Sequence, residues 1–388
     1  MQRDRLVSKI KVFQLGGLLL SGKYDILVVG AGITGLTIAE RFGNEGKSVL
    51  VVDRRSHLGG NCYDYLTEGI YVHEYGPHIF HSDYKEVWEY LTRFTDWVHY
   101  QHKVLALIDG ELVPVPFNLN SIKALFPASM SKKLIDKLLE HFGYGREIKI
   151  LDLLKVEDHD LRWLANYVYE KVFAGYSEKQ WGKRPEEIDS SVTARVPVVI
   201  STDNRYFHDR YQGVPLRGYT AMFNKMLQCS NIEVLLETDF KDIKSHIDYK
   251  TLFYTGEIDA YFDYCFGKLK YRCFNYKLLN LPQPSYQPAA VVNYPNEYDF
   301  TRITEFKKFY NQDSAGTIIG IEYPEDSGVT AWPMLDPENL EIYRKYRSEV
   351  DKLKDSYFLG RLADFTHYSM DDAVNRALQV YKEVLRFV

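Results

Sequence analysis

The stretch from residue 24 to 53, YDILVVGAGITGLTIAERFGNEGKSVLVVD, constrains the fold more than any other part of the chain. Residues 26–29 and 49–52 are unbroken β-branched or leucine runs, as in parallel strands buried on both faces, and the segment between them has helical periodicity. Gly30, Gly32 and Gly35 form G-x-G-x-x-G where the first strand meets the helix, and Asp53 closes the second strand. The three glycines serve different ends, in order a tight turn, an approach of backbone to a pyrophosphate, and close packing of helix on strand. The helix N-terminus then meets the diphosphate with oriented N–H groups and the positive end of its dipole. Asp53 accepts from a ribose. A Rossmann-like α/β core binding a dinucleotide follows.

The residues after Asp53 bear on which dinucleotide. RRSHLGGNCYD adds a glycine pair, Gly59 and Gly60, flanked by Arg54 and Asn61. Flavoproteins of the two-dinucleotide fold carry such a pair at this place, so the resemblance points to FAD rather than NAD. The C-terminal GRLADFTHYSMDDAV resembles the second flavin-contacting segment of those proteins, with Gly360 and Arg361 at the cofactor and a helix opening at Ser369 and Met370.

Length and composition set the outer limits. A chain of 388 residues exceeds one ordinary core and can enclose a large cofactor. The 48 basic and 53 acidic residues are well mixed, leaving no extended basic field for nucleic acid. Cys62, Cys229, Cys265 and Cys273 fall in neither a zinc-ribbon nor a disulfide spacing, which fits a reducing cytoplasm. The apolar run at 12–20 is too short to span a bilayer, so residues 1–22 read as an extension before the first strand.

Along the chain, 23–104 reads as the first part of the FAD-binding core and 105–118 as a sheet segment. Residues 119–194 read as a helical insertion with a mobile lid near 183–197, and 195–345 as an antiparallel substrate domain returning to the core near 246–262. Residues 346–388 complete the core. Residues 85–102 also read as largely helical, and NIEVLLET, TLFYTG, AAVVNY and TIIGIEY as strands of the antiparallel sheet.

Ten ordered stretches resemble the UDP-galactopyranose mutase family: HLGGNCYD, YGPHIFHSD, VPVPFNLNSI, GYSEKQWGKRPEEI, ARVPV, DNRYF, RYQGVPLRGYTAMFNKML, TGEIDAYFDY, FTRITE and GRLADF. The resemblance implies an FAD enzyme that interconverts the pyranose and furanose forms of UDP-galactose. The flavin must be reduced, by NAD(P)H or a chemical reductant, and attacks the anomeric carbon to form a flavin–sugar adduct. It implies that Arg195 and Arg302 clamp the diphosphate through paired N–H donors, as guanidinium groups do. Tyr176 and Trp181 would receive the base, Tyr206 would lie near the sugar and phosphate, and Asn118 would contact the sugar. His78 and His81 would border the flavin and the sugar. Packing remains open for both histidines and for the aromatics. A metal would need a third ligand and carboxylates that H-x-x-H after proline lacks. Family habit implies a homodimer.

Four departures bear on specificity. Ala331-Trp332-Pro333 stands where the family has Tyr-Tyr-Pro, and His367 where it has tyrosine; indole and imidazole N–H groups could replace those phenols. Val172 replaces an aromatic wall of the base pocket, and Ser369-Met370 replaces Asp-Met. The same chemistry on a deoxythymidine-linked 6-deoxysugar such as fucose is therefore a second expectation. An amine-oxidase-like oxidoreductase and a catalytically silent binder of flavin or sugar nucleotide remain further alternatives. Two arginines placed for a diphosphate speak against the oxidase.

Overall fold

The computed structural model describes residues 10–12, 23–188 and 196–387. Its nucleotide sheet has six parallel strands in the order Ile10–Val12, Ile232–Leu236, Val49–Val52, Lys23–Val29, Asp248–Tyr254 and Ser356–Phe358. The apolar runs that define the inner strands are buried on both faces, by one core containing the helix Ile33–Asn44 and another centred on Phe358 and Tyr346. The C-terminal helix Met370–Val384 packs on Ile33–Asn44 through residues such as Tyr381, whose ring meets Phe42 edge to face.

The second sheet has seven strands in the order Val329–Pro333, Tyr271–Leu281, Thr317–Glu325, Arg302–Glu305, Val291–Asn293, Val104–Ile108 and Glu111–Val115. All neighbours are antiparallel except Val291–Asn293 beside Val104–Ile108. Helices from Leu119 to Trp181 cover part of it through the core of Phe117, Leu138, Leu164 and Val168. A π-helix at Tyr169–Ala174 precedes the helix Gly175–Trp181, a distortion that often marks functional segments.

Two sequence expectations need correction. NIEVLLET and TLFYTG are parallel strands of the nucleotide sheet, not of the antiparallel one. Their continuous apolar runs, VLL and LFY, are buried throughout, which suits a sheet covered on both faces. Residues 85–102 are helical only over Lys85–Thr92; Trp97–Val98 is a strand beside Tyr211–Pro215, held there as Trp97 stacks on Trp88 at 4.6 Å. Of the 1–22 extension, Ile10–Val12 forms an edge strand and the rest lies outside the described residues, as does 189–195 of the expected lid.

Candidate active site

A cleft of about 580 Å³ opens along the C-terminal ends of the parallel strands. Gly30 turns with φ +104°, and a Cβ there would lie 2.1 Å from Thr255 Oγ1. Gly35 does not line the cleft; a Cβ on it would lie 2.0 Å from Gly30 O, so its absence lets helix meet turn. Gly32 does line it, with open space where a Cβ would stand. Gly59 and Gly60 hold positive φ and stack the second turn on Gly32.

Asp53 is fixed by two backbone donors, Ala31 N at 2.6 Å and Arg55 N at 2.8 Å. A carboxylate has about four acceptor sites, so it keeps capacity for ribose hydroxyls. Arg54 lines the cleft and donates to Glu257 at 2.9 Å, and Asn61 accepts from Arg55 while donating to Thr330 O. Gly360 and Arg361 close the far side; Arg361 donates to the carbonyls of Tyr368 and Ala331, which aims its charge along the wall. Ser369 caps the C-terminal helix in a capping box with Asp372, and with Met370 it brings that helix N-terminus to the cleft. Two helix N-termini, facing glycine turns and Asp53 therefore fit an extended dinucleotide. Arg55, Thr255 and Glu257 are wall residues not singled out from the sequence; all three lie within the quoted stretches RRSHLGGNCYD and TGEIDAYFDY and could have been found there.

His78 lines the cleft, and His81, one strand further on, does not. His78 Nδ1 donates to Gly76 O at 2.8 Å, while its backbone N–H donates to His73 Nδ1 at 3.0 Å. His73, accepting there, must donate from Nε2 to Tyr310 at 3.2 Å. Burial, with the Arg361 charge, depresses His78 to about 4, and burial with His78 nearby depresses His73 to about 3. A neutral His78 protonated on Nδ1 carries its lone pair on Nε2.

His81 stacks on Phe207 at 3.6 Å, and its Nδ1 meets Asp209 at 3.1 Å. Next to it, His102 is held to about 3 by burial and by the charge of Arg302. Arg302 opens its strand 3.2 Å from Glu322, amid Tyr176, Tyr276 and Tyr206. Burial opposes its charge, but Glu322 and the phenols hold the guanidinium firmly protonated. Its Nε is sheltered and lacks a hydrogen bond of good geometry. The Tyr276 ring lies 3.1 Å from where a Cβ on Gly76 would stand, so it sits close to the turn that carries His78.

Tyr176, Trp181, Tyr206 and Val172 line one smaller pocket of about 110 Å³, with Ala106, Val115 and Asn293 among its other walls. Trp181 lies 6.0 Å from Trp332 and 5.4 Å from His367, so the departures from phenol gather around one indole. His367 cannot replace a phenolic donor with its Nε2–H, because that group already donates to Pro333 O at 2.7 Å. Asn118 has local partners as well. It is 1 % exposed and caps the helix Leu119–Leu125, its oxygen taking Asn120 N and Ser121 N and its amide reaching Asp203 O and Asn204. An asparagine just ahead of a helical segment is a capping signal, which the motif reading passed over. Arg195 lies outside the described residues. Among the described residues no cluster of histidine, cysteine or carboxylate could hold a metal, and no helix is long and apolar enough to cross a membrane.

Fold and cleft together define a dinucleotide-binding enzyme with a Rossmann-like core and a second sheet bearing an aromatic pocket, with Arg302 close to two of its tyrosines. Residues 28–94 match the model of an NAD(P)-binding Rossmann-like domain, and residues 171–367 match that of UDP-galactopyranose mutase. A protein of Klebsiella pneumoniae described as a probable UDP-galactopyranose mutase is 33 % identical over 94 % of this chain and 95 % of its own. A dTDP-fucopyranose mutase of Escherichia coli is 32 % identical over 91 % and 96 %. A crystal structure of reduced UDP-galactopyranose mutase superposes with a TM-score of 0.71, at 16 % identity and 94 % coverage of both chains. The chain belongs to the UDP-galactopyranose mutase family and is an isomerase of the intramolecular-transferase kind.

Proposed function

We propose that this protein is an FAD-dependent UDP-galactopyranose mutase, interconverting UDP-galactopyranose and UDP-galactofuranose without net redox change. The observation that carries the reading is the sheltered, permanently charged Arg302, set among Tyr176, Tyr206 and Tyr276. A guanidinium in that setting suits a diphosphate, which an amine or a carotenoid substrate lacks.

The cleft residues fit FAD: Asp53 and the Gly30–Gly35 turn for the adenosine diphosphate, Arg54, Gly59, Gly60 and Asn61 along it, and Gly360, Arg361, Ser369 and Met370 at the flavin end. When bound and reduced by NAD(P)H or dithionite, FAD supplies a nucleophilic nitrogen for the anomeric carbon. The chain supplies the rest. Arg302, with Arg195 as its expected partner, neutralises the diphosphate as it departs and keeps it in place for return. Tyr176 and Trp181 hold the base by stacking, Tyr206 orients the sugar phosphate, and Trp332 walls the nucleotide end. His78, neutral with a lone pair on Nε2, accepts a hydrogen bond from a hydroxyl without adding charge beside Arg361. His81 steadies the sugar side through Phe207 and Asp209. Cytoplasmic location and a homodimer complete the proposal.

A second reading keeps this chemistry and changes the substrate to a deoxythymidine-linked 6-deoxysugar. Val172 favours it, since with Ala106 and Val115 it makes an apolar wall with room for a thymine methyl. Anaerobic incubation of the yellow protein with dithionite, offering UDP-galactofuranose and separately a deoxythymidine-linked furanose, tests both. Conversion only under reduction supports the mutase, and the substrate consumed chooses the base. Turnover of neither, with the flavin fully reduced, refutes both readings.

A further inference from the structure

Arg272 carries no role in the site as described, yet all three arms of its guanidinium are committed around it. It lies on the strand Tyr271–Leu281, directly opposite Trp332 in the register with Val329–Pro333. Its Nε donates to Gln180 O at 2.7 Å and its Nη2 to Lys179 O at 2.8 Å, while Nη1 pairs with Asp326. The first two acceptors are among the last carbonyls of the helix Gly175–Trp181, where no further turn of helix exists to use them and the dipole favours a cation. The side chain is only 12 % exposed, whereas Asp326 is 97 % exposed, so the grip on the helix is the sheltered part of the interaction.

The consequence is geometric. That helix carries Tyr176 and Trp181, and the strand opposite Arg272 carries Trp332, 6.0 Å from Trp181 ring to ring. A bulge between Arg272 and Cys273 breaks the pairing register at this point, a device that re-aims side chains at a sheet edge. We infer that Arg272 is a positioning residue for the nucleotide pocket, fixing the end of the Tyr176 helix so that Trp181 and Trp332 form one wall. It lines neither the cleft nor the smaller pocket, so its effect reaches the substrate through the helix. Lysine cannot reproduce it, because one ammonium on a flexible stem does not hold two carbonyls in fixed directions.

This inference rests on the nucleotide-sugar reading of the pocket, and its test separates the two. Arg272→Met, Arg272→Lys and Asp326→Ala are compared with wild type as holoenzymes by hydrogen exchange of amides 175–184, by UDP titration and by steady-state kinetics. In Arg272→Met the helix amides should exchange at least about tenfold faster, while cleft peptides around 30–62 are unchanged and the flavin stays bound. UDP affinity should fall about tenfold or more and KM rise with it, with kcat within threefold; Arg272→Lys should restore part of the protection, and Asp326→Ala should resemble wild type. Unchanged exchange in Arg272→Met overturns the anchor. Faster exchange with unchanged UDP affinity and KM overturns its link to the substrate. Failure of wild type itself to bind UDP or dTDP counts against the nucleotide-sugar reading, whereas helix exchange still decides whether Arg272 is the anchor.

Discussion

Substituting alanine at Gly35 and at Gly32 should give opposite phenotypes, although both glycines belong to one motif. At Gly35 the new Cβ would lie 2.0 Å from Gly30 O and 3.0 Å from Val28 Cγ1. Ordinary contact begins near 3.4 Å, so helix and strand must separate by more than 1 Å. Neither neighbour can yield cheaply, since one is backbone and the other a core side chain on a buried strand. Overpacking of this kind costs about 1–3 kcal/mol, and a backbone collision belongs at the upper end. With an unfolding entropy of about 2.1 cal/mol/K per residue, 388 residues convert 3 kcal/mol into a melting shift of about 4 °C. At Gly32 the nearest atom to a Cβ is Gly60 Cα at 4.0 Å, and φ is -75°, which alanine adopts freely. There the apoprotein should melt unchanged or gain up to about 1 kcal/mol from a less flexible unfolded chain. Its flavin affinity, however, should fall at least about tenfold, because the methyl occupies the space a pyrophosphate needs. Melting curves of the two apoproteins by scanning fluorimetry, with flavin stoichiometry from absorbance, give both numbers. An apo Gly35→Ala that melts within about 1 °C of wild type, or a Gly32→Ala that holds flavin normally, would refute the assignment of packing to one glycine and cofactor approach to the other.

Three further outcomes follow from the site. Arg302→Ala should keep the yellow cofactor yet weaken UDP binding about 30-fold or more, as loss of a charged partner costs about 2–5 kcal/mol; calorimetric titration showing near-normal affinity would remove Arg302 from the diphosphate. Val172→Phe should fill the apolar wall and lower affinity for dTDP relative to UDP by at least about tenfold, in the range one methyl can command in a pocket; equal losses for both would place the base elsewhere. His73, His78 and His102 are held neutral with depressed values near 3 to 4, against about 6.5 when unfolded, so stability is complete above pH 6.5 and declines as pH falls toward 4. His73 and His102 alone should contribute a slope of about 2–3 kcal/mol per pH unit in that window, and His102→Leu should flatten it in thermal melts between about pH 7 and 4.5.

The sequence by itself determined the nucleotide half. Gly30, Gly32, Gly35 and Asp53 themselves belong to one strand–helix–strand unit, so the motif could be read residue by residue, although the atoms nearest to a Cβ on Gly30 and Gly32 come from Thr255 and Gly60. The family stretches likewise named Tyr176, Trp181, Tyr206 and Arg302. What the sequence did not carry was orientation. Asn118 and His367 sit at suggestive positions, but the cap on Leu119–Leu125 and the bond to Pro333 O turn their donors to other partners. Strand 232–236 looks like a member of the antiparallel sheet, and 248–254 reads both as such a strand and as part of a return to the core, because a short apolar run does not state its neighbour. Only long-range pairing settled that, and only packing of the helical insertion on a strand 92 residues away in sequence, from Gln180 to Arg272, brought a guanidinium to the end of the helix that carries Tyr176 and Trp181. Such contacts join residues whose separation along the chain is set by the topology and not by any local period, so they emerge only when the whole fold has closed.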